Sequence, residues 1–514
     1  MILPRIIFGL LLAVPLALAL LWPGDAPFIN DEPQLFLSAN AANQAHCLAN
    51  IGLMGSVGLR YGPAPTRIYQ IIIRITSGPE GWVIVRVLMM FFGMAAGLLL
   101  LARALKLWQS FIPVVLLSPY LWFYSRHLWD NSFLLPLSAL AVGTYALHLS
   151  KRGIGALGTE RSANARKPGH AGPSAPQTAG VPSSAPGALL ISLTLSLLLP
   201  LIHPMALPIA IALLAHMLIF SRTQLWRLRW PIALALAAFI TTHAGYGRYL
   251  VSAAREFEPH QTNASVQWEA GLLPFLGGRM LSGWGLDAFF EQTWLPQSVL
   301  FLIAAVTTCL AYVAVWLGIV FAAMNVWQER REYVAQCKGS PQASASGARS
   351  HILLIGLAAL ALQIVVCVAS HAHSEAHYHN ALWIMSVLFA WLIIDKAVRK
   401  WWGIALVAVQ GVALAAVLAT LMILVHQRGG TRGTHYGSTI ADQFGVVRVL
   451  GKEPRRDVTC RIPNLFSASL HALGELCLSD DANKIEGPLV IEFASDDPNS
   501  GRVTVRKLSP RDAR

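Results

Sequence analysis

The sequence predicts an all-α polytopic membrane protein of about eleven transmembrane helices, with helices on its outer-face loops. A small α/β extracytoplasmic domain is expected to follow at the C-terminus. Three observations carry this. Hydrophobic residues make up 55% of the 514-residue chain and charged residues only 13%, about half the charged share of soluble domains. The apolar residues are gathered into long runs of membrane-spanning length. The charged residues are gathered between those runs, with basic clusters in alternate connections.

The runs predict spans at 6–22, 83–102, 109–125, 131–150, 188–202, 204–220, 230–248, 297–326, 351–370, 381–395 and 402–425. The first follows Arg5 and has no small-residue cleavage site after it, so it reads as an uncleaved anchor. Pro200, Pro204 and Pro208 mark the fifth and sixth as the pair most prone to form one broken helix.

Charge fixes the orientation. With the N-terminus in the cytoplasm, the inner connections hold Arg103 and Lys106, then Lys151, Arg152, Arg161, Arg166 and Lys167. Arg222, Arg227 and Arg229 follow, then Arg330, Arg331, Lys338 and Arg349, and finally Lys396, Arg399 and Lys400. The opposite loops hold most of the acids, from Asp25 to Glu375. This is the distribution of an inner-membrane protein with a cytoplasmic N-terminus and a periplasmic C-terminus. The net charge of +13 therefore reports membrane topology, and no nucleic acid partner is expected.

The expected layout is a transmembrane domain over 1–425 and an extracytoplasmic domain over 426–514. Large outer loops occupy 23–82 and 249–296. Residues 151–187, rich in Gly, Ala, Ser and Pro, form a cytoplasmic linker expected to be disordered. Ile68–Ile75 alternates in the manner of a helix lying on a membrane surface. Leu489–Phe493 and Val503–Val505 alternate in the manner of strands. Cys460 and Cys477 share this tail, and an oxidising compartment would allow them to pair.

Candidate chemistry lies on the outer side. Asp31-Glu32 opens the first outer loop, and two adjacent carboxylates at a bilayer boundary suit a general base and a metal ligand. The alternative is acid at a helix start. Tyr124-Ser125-Arg126-His127-Leu128-Trp129-Asp130-Asn131 lies on the same side. There Arg126 could clamp a phosphate and Asp130 could be a further acid or a helix cap. His371, His373, His377 and His379, with Tyr378, fall within one short outer segment. They suit phosphate or metal binding, or else a polar loop. His203, Arg60 and Arg67 are further outer groups able to meet an anionic headgroup or membrane lipids.

This constellation resembles the GT-C superfamily of membrane glycosyltransferases, in the protein O-mannosyltransferase and aminoarabinose-transferase branch. Members carry an acidic motif at the start of the first outer loop, matched here by Asp31-Glu32. A second acidic position before the fourth span is matched by Asp130-Asn131. A His/Tyr-containing motif at a later outer span start is matched loosely by His377-Tyr378-His379-Asn380. Where aminoarabinose transferases continue with Arg and Tyr, this chain has Pro33-Gln34-Leu35.

The resemblance implies a polyprenyl-phosphate sugar donor, a lipid, glycan or protein acceptor, and inverting transfer. Asp31 would be the base, with Glu32 and Asp130 beside it. Arg60, Arg67, Arg126, His203, His377, Tyr378 and His379 would face the donor phosphate. A divalent metal is left open, with Glu32, His371 and His373 as its ligands. No nucleotide-binding glycine loop occurs, as suits an already activated donor. Two readings from other classes stay open: a lipid or glycan transporter or flippase, and a non-catalytic envelope assembly protein.

Overall fold

The computed structural model describes residues 2–29, 31–55, 60–164, 185–256, 299–336, 347–370, 376–432, 436–450, 458–460, 462, 465–477, 489–495 and 500–507. Helices dominate them. Six are long and apolar enough to cross a membrane: Pro79–Leu105, Asn131–Lys151, Leu302–Arg331, Ala348–Val366, His379–Ala397 and Trp401–Arg428. Ile6–Leu20, Pro186–Ile202 and Pro204–Phe220 are shorter apolar helices.

The first helix, α1, covers Ile2–Leu20. The segment after it is built, not extended. It carries a 3-10 turn at Pro23–Asp25, α2 (Asp31–Gln44) and α3 (Ala64–Ile75). The helix expected over Ile68–Ile75 is therefore present. Its buried face holds Thr66, Tyr69, Gln70 and Ile72, while Ile71 and Ile75 are exposed.

Helix α4 (Pro79–Leu105) packs along α7 (Leu134–Asn164). The close approach depends on small residues. A Cβ on Gly97 would collide with Ala139, and one on Gly143 would collide with the Gly97 carbonyl. Small residues at such seams let helix backbones meet where lipid gives no hydrophobic drive to associate.

Three expectations need correcting. The run at 109–125 is two short helices, α5 (Phe111–Leu116) and α6 (Pro119–Arg126). Pro119 disfavours helical geometry at Ser118 and opens a new helix as its first residue. Residues 151–164, expected within the disordered linker, continue α7, and no proline interrupts them. The run at 230–248 lies in a helix, Arg229–Glu256, that is not among the six long apolar ones. The rest of the linker (165–184) and most of the second outer loop (257–298) lie outside the described residues.

The C-terminal tail has the expected α/β character. Helices Ile440–Leu450 and Leu465–Cys477 accompany strands β1 (Val458–Cys460), β2 (Leu489–Phe493) and β3 (Val503–Lys507). Strand β1 runs parallel to β2, pairing Cys460 with Ile491, and β3 runs antiparallel, pairing Thr504 with Glu492. The tail rests directly on the segment between α1 and α4. Ile440 N–H donates to the Ala26 carbonyl at 2.8 Å, and Leu465–Cys477 packs against α2. Cys477 is a free thiol, so the expected pairing with Cys460 is not formed. Burial pushes that thiol up to about 12.

Candidate active site

The site grows from two chain segments that meet beside the N-terminal ends of α4 and α7. The first is the start of α2. Asp31 and Glu32 occupy its first turn, where the helix dipole favours negative charge. Glu32 reaches back so that its Oε2 accepts from the Ile29 N–H at 3.3 Å.

The second segment runs from His127 to Phe133, between α6 and α7. Tyr69 of α3 fastens it by donating from its hydroxyl to the Leu128 carbonyl at 2.6 Å. Ser132 Oγ donates to the Trp129 carbonyl at 2.7 Å and closes the turn. The segment then meets the acids one by one. The His127 imidazole pairs through Nδ1 with Glu32 Oε1, with both side chains buried. Trp129 Nε1 donates to Asp31 Oδ2 at 3.0 Å.

Asp130 is buried beside them. Its Oδ1 accepts from the Asn131 N–H at 2.7 Å, capping the 3-10 turn Asn131–Phe133. The capping alternative is thus realised, and it uses one oxygen. The other, Oδ2, has no partner among the described residues. Such an orphan costs about 1–3 kcal/mol, so a folded protein keeps it for a reason.

The electrostatics follow from burial. All three carboxyls are pushed up from the ordinary range, in each case first by loss of solvent. For Asp31 the Trp129 hydrogen bond and His127 oppose the rise. For Glu32, His127 opposes it. Asp130 has weaker opposition and feels the charges of Asp31 and Glu32, so it rises to about 8. Clustered carboxyls that burial pushes up in proton affinity are a pattern suited to acid–base chemistry.

One participant escaped the sequence-based assignment. Arg86 lies inside α4, fully buried, with its guanidinium over the Phe133 ring at 3.3 Å. Its Nη2 donates to Ser132 Oγ and to the Trp129 carbonyl, while Nε and Nη1 have no partner among the described residues. The expectation that charge sits only in the loops fails here. A lone arginine in the run 83–102 was the available signal, since charge within a span is costly and marks function. His127, Trp129 and Tyr69 were equally unassigned, although the first two flank Asp130 in the motif.

Several expected phosphate ligands are otherwise engaged. Arg126 is buried, and it donates to the Leu21 carbonyl at 2.7 Å and to the Trp22 carbonyl. It caps the end of α1, whose last carbonyls lack helical partners. Arg67 donates to the carbonyls of Ala49 at 2.9 Å and Thr242 at 2.5 Å, and contacts His243 at 3.2 Å. Arg60 donates to the Gly52 carbonyl at 3.4 Å. His203 accepts from the Met205 N–H at 3.3 Å and packs on Tyr61. Burial lowers it to about 4, so it is neutral and offers no cation to a phosphate.

The histidine motif is described in part. Residues 376–382 form a 3-10 turn packed on Asn131–Phe133 and on the turn Pro204–Ala206, bringing this motif to the acid cluster. His379 is buried. The side chains of His377 and Tyr378 lie outside the described residues, as do His371 and His373 entirely. Glu32, the remaining expected metal ligand, is committed to His127 and the Ile29 amide. Among the described residues no group of three metal-ligating side chains is assembled. No family model matches the chain, and neither a curated protein nor a solved structure is similar to it.

Proposed function

We propose that the protein is an inverting glycosyltransferase. It moves a sugar from a polyprenyl-phosphate donor to a lipid, glycan or protein acceptor at the outer face of the bacterial inner membrane. The observation that carries the reading is the gathering of Asp31, Glu32 and Asp130 from two distant segments into one buried cluster, braced by His127, Trp129 and Arg86.

In this reading the six long helices, the three shorter ones, the α5–α6 pair and Arg229–Glu256 make eleven crossings. The N-terminus is cytoplasmic and the C-terminal tail periplasmic, as the basic inner connections require. Asp31 is the base. It is the half-buried member of the trio, so an acceptor can reach it. Its carboxylate takes the acceptor hydroxyl proton, and the oxygen attacks the anomeric carbon. The bond from that carbon to the phosphate oxygen breaks, and the electron pair leaves with the lipid phosphate. Arg86 supplies the fixed positive charge of the region, against which negative charge can develop.

The test uses purified protein in nanodiscs with a panel of polyprenyl-phosphate hexoses and pentoses and an extracted envelope fraction as acceptor. Transfer by the wild type and its loss by about a hundredfold or more in Asp31→Asn are expected. Wild-type-like transfer by a well-folded Asp31→Asn protein sinks the assignment of the base. Absence of any transfer by the wild type across the panel sinks the function.

A further inference from the structure

Resting on the glycosyltransferase reading, we propose that the seam between the Asp130–Phe133 turn and the Ala376–Leu382 turn is a recognition site for the hydroxyls of the donor sugar. Asn380 and Trp383 donate from one wall, and the other presents the Asn131 amide oxygen and the second oxygen of the Asp130 carboxyl.

The argument starts with Asn380, which is fully buried. Tyr120 donates from its hydroxyl to Asn380 Oδ1 at 2.5 Å, and this fixes which way the amide faces. Its Nδ2 is then presented with no partner among the described residues. Three residues on, Trp383 is also fully buried, and its Nε1 has no partner either. On the facing turn, Asn131 Oδ1 and Asp130 Oδ2 are buried oxygens without partners among the described residues.

These atoms are complementary, yet they do not pair with one another although the two turns are packed together. A hydrogen bond from Asn380 to Asn131 would be the cheapest way to satisfy both. Its absence leaves two N–H donors, an amide oxygen and a carboxyl oxygen for a third party. The chemistry of that party is readable. Carboxamides, an indole and a carboxyl that holds its proton at neutral pH carry no formal charge. A phosphate is therefore a poor fit. A group offering donors and acceptors together is a good one, and sugar hydroxyls do so. The seam adjoins the acid cluster through Asp130 itself, so a sugar bound there sits next to the base.

The experiment measures binding to wild-type protein in nanodiscs of two probes: bare polyprenyl phosphate, and the polyprenyl-phosphate hexose and pentose panel. The expected result is tighter binding of one glycosylated lipid by the wild type. In Asn380→Asp, which keeps the acceptor for Tyr120 but removes the donor, that preference should fall by about tenfold or more. Trp383→Phe and Asn131→Ala should lower it in the same direction, with bare lipid binding unchanged in all three. Three variants that hold the glycosylated lipid as the wild type does overturn the site. Equal wild-type affinity for bare and glycosylated lipid overturns it too, while leaving a lipid-phosphate site standing. Failure of the wild type to bind either probe overturns this site and the glycosyltransferase reading together.

Discussion

Replacing Asp130 by asparagine should stabilise the protein above neutral pH and leave it nearly unchanged in acid. In the native state this carboxyl rises to about 8 from an ordinary value of 3.8, because it is buried beside Asp31 and Glu32. Between those two values the native state holds a proton that the unfolded state releases. Native stability therefore falls as pH rises through this window, by about 1.4 kcal/mol per unit. From pH 3.8 to 7 the loss sums to about 4 kcal/mol, an upper bound because Asp31 and Glu32 titrate with it. The carboxamide oxygen of the substituted side chain would still accept the Asn131 N–H, so the cap survives the change. The assay is thermal unfolding of wild type and Asp130→Asn in detergent across pH 4 to 9, read as the difference between them. That difference should grow from acid to about pH 8 and then level off. Parallel curves over the whole range would refute the placement of Asp130 as a proton-holding group.

Other substitutions separate structural from chemical roles. Arg126→Met should cost about 1–3 kcal/mol of stability, since the Leu21 and Trp22 carbonyls just past α1 lose a charged donor. Donor-lipid binding by the folded fraction should be unchanged. Arg86→Met should move the Asp130 titration still higher, because a buried cation is removed. The pH dependence of unfolding checks this, and Arg86→Lys should restore the charge but not the two-acceptor grip on Ser132 and Trp129. Gly318→Ala would drive a methyl into the Phe389 backbone between the helices Val299–Gln336 and Trp383–Ala397. It should lower stability by about 1–3 kcal/mol with sugar transfer intact, a pairing read by unfolding and activity measured together.

Much of the framework was legible because membranes impose simple rules. Apolar runs and basic connections marked the helices, and alternation at 489–493 and 503–505 marked two strands. The run at 109–125 misled because its composition is apolar throughout, while Ser118-Pro119 breaks it locally. Asp31, Glu32 and Asp130 were found because acids at the outer ends of apolar runs are conspicuous. The arginines were harder for a physical reason. Composition announces a positive charge but not which carbonyl will occupy it. Arg126 and Arg67 each donate to a carbonyl more than a hundred residues away, Leu21 and Thr242, and no local pattern encodes that. Arg86 was overlooked because counting loop charges passes over a single arginine inside a span. The docking of the tail was equally hidden, since Ile440 meets Ala26 across nearly the whole chain.

In the glycosyltransferase we propose, the charge balance of the cluster decides which acid can be the base. Three carboxyls share a water-poor space with one arginine and one histidine, so they cannot all be ionised together at low cost. Glu32 is fully buried, and both its oxygens are engaged, one by His127 and one by the Ile29 amide. To accept a proton it would have to surrender the contact that holds the loop. Asp130 lies near 8 and so carries its proton at neutral pH. It can donate or hold a hydroxyl, but it has no vacancy for the acceptor's proton. Asp31 alone is half-exposed, and one of its oxygens is oriented by Trp129, which leaves the other for the acceptor. Proton-holding Asp130 also lowers the charge Asp31 must tolerate, which favours the ionised form a base requires. Asp31→Asn should therefore abolish transfer at every pH. Glu32→Gln should mainly weaken the fold and broaden the pH profile. If instead Glu32→Gln folds normally and is the inactive variant while Asp31→Asn works, the division of roles is reversed.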